Sequence, residues 1–349
     1  MSAALRVLSA GPGVTVQDAG RQSYMRFGVT PAGPMDFGAF AAALQAAGEP
    51  QGAAVEVSLG GLELAAEHGE IGIAVAGGAF DVRLDGSLLP PSCALTLAPG
   101  ARLSLRAGPS GAWAYVAPCG RFDLPLVLGS LATHTRARLG GFFGRGLEAG
   151  DRLALLGARA GPSAPMAIDA PWLAPPPGKI RVLLGPQADF FAPETIAAFL
   201  AAPWRLSPRS DRMAYRLEGP PLAHLSGHDI VSDGLTFGAI QVPGDGAPLV
   251  LMADRQPTGG YPKIAHVIGA DLGALAQKRA GEVVRFAEAS WEEAVTARRW
   301  RAELIGRGAS LTPLSRREFS SEFLLSQNLI SGAVSAQAPA QAAGQNDCD

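Results

Sequence analysis

The chain has 349 residues, with 29 Lys and Arg against 31 Asp and Glu for a formal net charge of -2, and 48% of it is hydrophobic. That near balance excludes a basic field for nucleic acid or an anionic membrane, and the apolar fraction excludes disorder over most of the chain while leaving room for one large domain or two ordinary ones. The 44 Gly and 28 Pro, with few long helix-period stretches, predict a β-rich fold with many turns.

The first residues, MSAALRVLSAGPG, lack a charged segment followed by an apolar core, so no signal peptide is expected, and no apolar run reaches membrane-spanning length. Cys93, Cys119 and Cys348 are widely spaced with no Cys-x-x-Cys, which predicts a reduced, cytoplasmic protein. The histidines form no metal signature. His224 and His228 stand four apart, but Ser226-Gly227 between them disfavours a ligand-bearing helix, so no zinc site is expected.

In chain order, Leu5–Leu8 reads as a short strand, and Val14–Asp18 continues extended until Gly20-Arg21. Asp36 reads as an N-cap for a helix carrying Phe37, Phe40, Ala41 and Leu44 at helical spacing, closed by Gly48. From Ala54 to Leu64 the pattern alternates, with Val55, Val57 and Leu59 on one face and Glu56 and Ser58 on the other. Short strands follow at 71–76, 80–84, 95–97, 102–106 and 112–116, spaced as a closed or sandwich-like β domain produces.

Residues 129–153 form a glycine-punctuated loop ending in a turn and strand. The Ala- and Pro-rich stretch 158–178 is expected to be a linker. The expected division is therefore a first β domain over 1–157, a second over 179–288, a C-terminal helix over 289–306, and an extension over 307–349 that is disordered at its end. The second unit opens on a strand at Lys179–Leu184. It carries a helix near Glu194–Ala201 with Pro193 in its first turn, and another capped by Asp271 and stopped by Gly281. Ser290-Trp291-Glu292-Glu293 is a capping box opening the C-terminal helix.

The densest chemistry lies between Gly238 and Lys263. The apolar run Pro248–Ala253 predicts a strand covered on both faces, and Asp254 and Arg255 emerge at its end before a turn on Thr258-Gly259-Gly260. Glycine pairs let backbone amides approach a ligand closely, and charge beside such a turn suits an anion. The same residues also fit a structural hairpin whose Asp254–Arg255 pair is a surface ion pair. Gly141-Phe142-Phe143-Gly144-Arg145 resembles a phosphate loop but lacks the Lys-Ser/Thr of a P-loop, which excludes that reading.

Several segments together resemble the biotin-dependent carboxyltransferase family, also labelled allophanate hydrolase subunit 2, whose bacterial members include the C-type subunit of ATP-dependent 5-oxoprolinase. They are Gly13–Arg21, Gly33-Pro34-Met35-Asp36, Val55-Glu56-Val57 with Gly60-Gly61, the 129–151 loop, Ser210–Leu217 and the 238–263 segment. The resemblance implies a mainly β fold of two cyclophilin-like β-barrel domains in tandem with a few short helices. It departs from the family pattern at Leu44 and Glu49, where Asn is usual, at Asp233 in place of Glu, and at Pro257 in place of Thr. The shorter Asp233 carboxylate reaches less far, and Pro257 stiffens its turn.

The function implied is ATP-coupled opening of a small lactam or amide, with ATP and Mg²⁺ as cofactors and A- and B-type 5-oxoprolinase subunits as partners. Under a second reading the chain moves a carboxyl group from carboxybiotin, supplied in trans, to urea or a similar amide. Under a third it is a non-enzymatic regulator that binds a kinase-inhibitor-like partner. Phosphoryl transfer to an amide needs cations on the phosphate oxygens. Arg255 and Lys263 are the candidates for that anion, and Asp254 either holds a metal or orients Arg255. Gln241 offers donor and acceptor to the lactam, and Tyr261 closes the pocket or donates to an oxyanion. Gly259, Gly260, Arg212 and Arg21 complete the candidate site. Of Arg212 and Arg216, one is expected to pair with Asp211 or Glu218. Glu56 reads as a partly exposed or ion-paired carboxylate, and Asp36 serves equally as a cap alone.

Overall fold

The computed structural model describes residues 3–174 and 178–314. Within them the chain is mainly β, with one sheet of twelve strands, one of eight, and a separate two-stranded ribbon, together with helices α1 (Phe37–Ala46), α2 (Pro193–Ala201), α3 (Leu272–Ala276) and α4 (Trp291–Gly306).

Two long strands, Ile71–Leu84 and Arg102–Pro118, form the spine of the first sheet. The sequence suggested four shorter strands here, with Gly77, Gly78, Gly108 and Gly111 in the gaps between them. They are instead the points where two continuous strands bulge and cross closely. A Cβ on Gly77, whose φ is +142°, would lie 2.5 Å from the Trp113 carbonyl, and one on Gly108 would lie 2.0 Å from that of Ala79. The bulges curl the sheet around a core that includes Leu5, Val55, Ile73, Val75, Leu105 and Val116.

The alternate residues of the same strands, among them Ala74, Ala76 and Tyr115, face outward, yet they are buried too, under α1 and the second sheet. Asp36 caps α1 as expected, its carboxylate accepting from Gly38 N at 3.0 Å and Ala39 N at 3.2 Å. At the other end Gly48 N donates to Gln45 O and Glu49 N to Leu44 O, the paired bonds of a Schellman stop.

In the second sheet Leu249–Leu251 lies between Ala214–Glu218 and Ala239–Gln241. Ile180–Leu184 pairs antiparallel with Lys263–Val267 and parallel with Phe286–Glu288. Phe199 of α2 stacks on Phe286 with centroids 4.9 Å apart.

Three local expectations change. Helix α3 ends at Ala276, well before Gly281, and the Asp271 carboxylate does not cap it; it takes a forked pair of bonds from Arg181, Nε at 3.0 Å and Nη2 at 2.7 Å. Within the stretch 158–178, Met166–Asp169 is a strand that pairs with Cys93–Leu97 and with Ser310–Pro313, and Trp172 is buried with its Nε1 donating to Gly38 O. Helix α4 has the capping box foreseen at Ser290 and Glu293. The expected disordered end and Cys348 lie outside the described residues. Residues 1–313 make one compact unit, and a single apolar cluster contains Phe40 and Tyr115 from the first half with Trp204, Tyr215 and Phe286 from the second.

Candidate functional site

Arg212 joins segments far apart in sequence. It follows a turn in which Asp211 Oδ1 accepts from Met213 N at 2.8 Å and Ala214 N at 3.1 Å. Its guanidinium forks onto Asp254, Nε to Oδ2 at 3.0 Å and Nη2 to Oδ1 at 2.8 Å. Nη1 donates to Glu56 Oε1, and Nη2 also reaches Gly33 O at 2.8 Å. Glu56 Oε2 accepts from Met35 N at 2.8 Å and from the Tyr115 hydroxyl at 2.7 Å. Tyr115 Oη in turn accepts from Asp36 N at 2.8 Å.

Glu56, expected on a polar face, is fully buried, because that face of its strand lies against the start of α1 and Arg212. Burial pushes Glu56 above the ordinary carboxylate value, while Arg212, the Met35 amide and Tyr115 pull it back. Burial works against the Arg212 charge too, but Asp254 and Glu56 outweigh it and hold Arg212 protonated.

This arrangement changes two sequence expectations. Asp254 and Arg255 are not partners of each other, and among the described residues neither Arg212 nor Arg216 forms an ion pair with Asp211 or Glu218. Both Asp254 oxygens are taken by Arg212, so Asp254 is not free as a metal ligand. Among the described residues no three His, Cys, Asp or Glu stand together as a metal would require.

Arg255 is buried and meets backbone only, its Nε donating to Leu235 O at 3.2 Å and its Nη1 to Met252 O at 3.4 Å. Burial lowers its pKa to about 10, against the pull of Asp254. Lys263 is also buried, at the start of the Lys263–Val267 strand. Its Nζ donates to Asp233 Oδ2 and, at 3.4 Å, to Gly234 O. Asp233 is half exposed on the two-stranded ribbon, where it stands opposite Gly259. The shorter side chain therefore does reach the lysine, and the Lys263 ammonium holds the Asp233 carboxyl below its usual range.

Gln241 stands beside Lys263 on the neighbouring strand, its Nε2 donating to Tyr261 O at 3.1 Å. A Cβ on Gly259 would lie 2.9 Å from that Nε2 and 2.8 Å from Leu235 Cδ1, so any side chain there would have to displace the ends of Gln241 and Leu235. Gly260 accepts from Ile230 N, and the Tyr261 ring is partly exposed. Thus Gln241, Lys263 and Gly259 come together with Asp233, while Arg212 and Asp254 form a separate buried hub.

Arg21 sits near that hub. It is fully buried, donates from Nη2 to Ala132 O, and keeps Nε and Nη1 without any partner among the described residues. Asp18, its neighbour in sequence, is occupied by Ser130 Oγ and the Gly20 and Leu131 amides. His134, which the sequence reading left without a role, bonds Thr30 Oγ1 at 3.1 Å in the combined field of Asp254, Arg21 and Arg212, and burial lowers its pKa. Tyr115 was missed as well. It lies in an apolar strand, where only the partner across the sheet gives it a function.

With this geometry, residues 27–288 match the family described as the carboxyltransferase domain, subdomain A and B. The chain is 37% identical over 296 residues to the C-type subunit of 5-oxoprolinase from Escherichia coli, a match covering 84% of this chain and 94% of that protein. It is 32% identical over 312 residues to urea amidolyase of Saccharomyces cerevisiae, covering 83% of this chain and 17% of that protein. The crystal structure of Kluyveromyces lactis urea amidolyase superposes with a TM-score of 0.79 at 29% identity, over 87% of this chain and 20% of that one. The chain thus spans only about a fifth of these urea-processing relatives. Among the described residues no helix is long and apolar enough to cross a membrane. The two sheets, the motifs gathered at Arg212 and these matches lead to one conclusion: the chain belongs to the carboxyltransferase domain family, subdomains A and B.

Proposed function

We propose that this chain is the C-type subunit of an ATP-dependent 5-oxoprolinase, acting with A- and B-type partners to convert 5-oxo-L-proline, ATP and water to L-glutamate, ADP and phosphate. The observation that carries this reading is the 37% identity extending over 94% of the E. coli protein.

In this reading the lactam oxygen attacks the γ-phosphorus and ADP departs. Water then adds at the activated carbon and the ring C–N bond breaks, its electron pair going to nitrogen, which takes up a proton. This leaves a γ-glutamyl phosphate, and a second water hydrolyses that acyl phosphate to L-glutamate and phosphate. The chain's own part is to bind and orient. Lys263 and Arg255 are the cations for the substrate carboxylate or the transferring phosphoryl group, which is where preorganised charge acts most strongly. Gln241 offers a donor and an acceptor to the lactam amide, and Gly259 and Gly260 keep the approach open. Tyr261 donates to the developing oxyanion. Arg21 adds two uncommitted guanidinium nitrogens, Nε and Nη1, whereas Arg212 and Asp254 fix the hub on which the neighbouring Arg255 is carried.

The test is ADP release by the chain co-purified with its partners, with and without 5-oxoproline. Stimulation by 5-oxoproline with glutamate formed supports the reading, and Arg255→Ala or Lys263→Met is expected to lower the rate about 100-fold. A stable complex without stimulation overturns it. The likeness to K. lactis urea amidolyase favours one further reading, carboxyl transfer from a carboxybiotin carrier to urea or a similar amide. That reading requires turnover that depends on bicarbonate and biotinylated protein.

A further inference from the structure

Lys263, Gln241 and Arg255 are 5%, 1% and 6% exposed. The cleft of about 680 Å³ that opens between the two sheets is lined by Trp113, Arg212 and Met213 among others, and by none of these three. A ligand meets them only if something covering them lifts. Over Lys263 lie Asp233 and Gly234, the last residues of a strap that runs from Ala223 to Gly234 between the buried Leu222 and Leu235.

No residue of the strap is buried, and Leu225 and Val231 turn their apolar side chains to solvent. Its start is fastened where Leu225 N donates to Phe190 O at 2.8 Å and the His224 ring lies 5.0 Å from that of Phe191. Its end is fastened where Ile230 N donates to Gly260 O at 2.8 Å, where Asp233 and Gly234 pair with Gly259 and Thr258, and where Asp233 meets Lys263. A segment with exposed backbone bonds and no buried side chain opens at the low end of a protein's stability range.

What holds the end down is charge. Among the described residues Asp233 is the carboxylate within ion-pair distance of Lys263, and a buried ammonium stripped of its counter-charge is costly. Lifting the strap alone strands that ammonium. Lifting it while an incoming anion takes the carboxylate's place does not, and the half-exposed Asp233 returns to water. We propose that Asp233 is a built-in stand-in for an oxyanion of the substrate: the substrate displaces it from Lys263, and the strap 223–234 lifts as it does so. Asp233 is then a positioning residue that sets affinity through Lys263. The identity of the displacing anion rests on the oxoprolinase reading above, whereas the latch rests on the geometry alone.

The test begins with amide hydrogen exchange on the intact chain. Asp233→Asn is expected to speed exchange at Ile230 about tenfold or more, while Leu222, whose amide donates to Gly246 O at 3.0 Å just outside the strap, keeps its rate. Asp233→Glu, which keeps the charge, should exchange as slowly as the unaltered chain. Lys263→Met should free the strap as Asp233→Asn does. In the complex with its partners the two variants part. Asp233→Asn is expected to lower the KM for 5-oxoproline about tenfold, by more than it changes kcat, because the competent open state no longer competes with an internal anion. Lys263→Met loses turnover. A fall in the KM for ATP in place of that for 5-oxoproline supports the same displacement, with a phosphoryl oxygen as the anion.

Exchange at Ile230 unchanged in both Asp233→Asn and Lys263→Met overturns the latch. A KM raised by Asp233→Asn overturns the displacement, since the carboxylate would then be holding substrate. If the complex turns over 5-oxoproline and Asp233→Asn alters neither exchange nor KM, the strap is wrong and the oxoprolinase reading stands. If Asp233→Asn and Lys263→Met free the strap but 5-oxoproline never stimulates ATP hydrolysis, the latch stands and the oxoprolinase reading falls.

Discussion

Arg212 is the residue on which the rest depends most. It compensates two buried carboxylates, Glu56 from the first sheet and Asp254 from the turn after the Leu249–Leu251 strand of the second. Removing one partner of a buried charge set leaves the others desolvated and unpaired, which costs about 3–5 kcal/mol. Arg212→Met is expected to lose stability on that scale in urea unfolding, and adding Glu56→Gln should restore part of it by removing one orphan charge. A loss below about 1 kcal/mol for Arg212→Met would show that the hub is not structural. Asp233 makes a milder case. Its folded pKa is depressed by Lys263, so the pairing is complete above the unfolded carboxylate value and is lost only as pH falls through the lower folded value. A carbon-detected titration should place the Asp233 midpoint below the usual carboxylate range, and Lys263→Met should return it there.

At the scale of elements, helix α1 shows how one side chain ties several pieces together. Asp36 caps its first turn and also accepts from Gln277 Nε2 at 2.9 Å, just beyond α3. Asp36→Ala therefore removes both the cap and a link between the two halves. The expected cost is about 1–2 kcal/mol, read from chemical denaturation. The cap was legible in advance, because Asp before a 3.6-period apolar stripe has one local explanation. Helix α3 was not. Asp271 looked like an equally good cap, but its carboxylate goes to Arg181, ninety positions earlier, and local spacing carries no trace of such a partner. The strands at 71–84 and 102–118 teach the same lesson: glycine reads as a break, whereas here it permits two continuous strands to cross.

For the molecule as a whole, the shared core of the two sheets, with Trp113 Nε1 bonded to Tyr215 Oη at 3.0 Å and the Arg212 hub alongside, predicts coupled unfolding. Calorimetry of residues 1–314 should give a single transition with equal calorimetric and van't Hoff enthalpies. Two separated transitions would mean that each sheet is stable alone.

The sequence by itself determined the β-rich class, the cap of α1, the capping box of α4, the buried strand before Asp254, and the family. Each of these rests on neighbours within a few residues or on motifs in order. Only the tertiary structure decided that Asp254 belongs to Arg212 and not Arg255, that Glu56 is buried on its outward face, that Lys263 is paired with Asp233, and that a cleft lies between the sheets. The physical reason is that a desolvated charge must find its counter-charge wherever the fold brings one, and that partner is set by packing across sheets and not by distance along the chain.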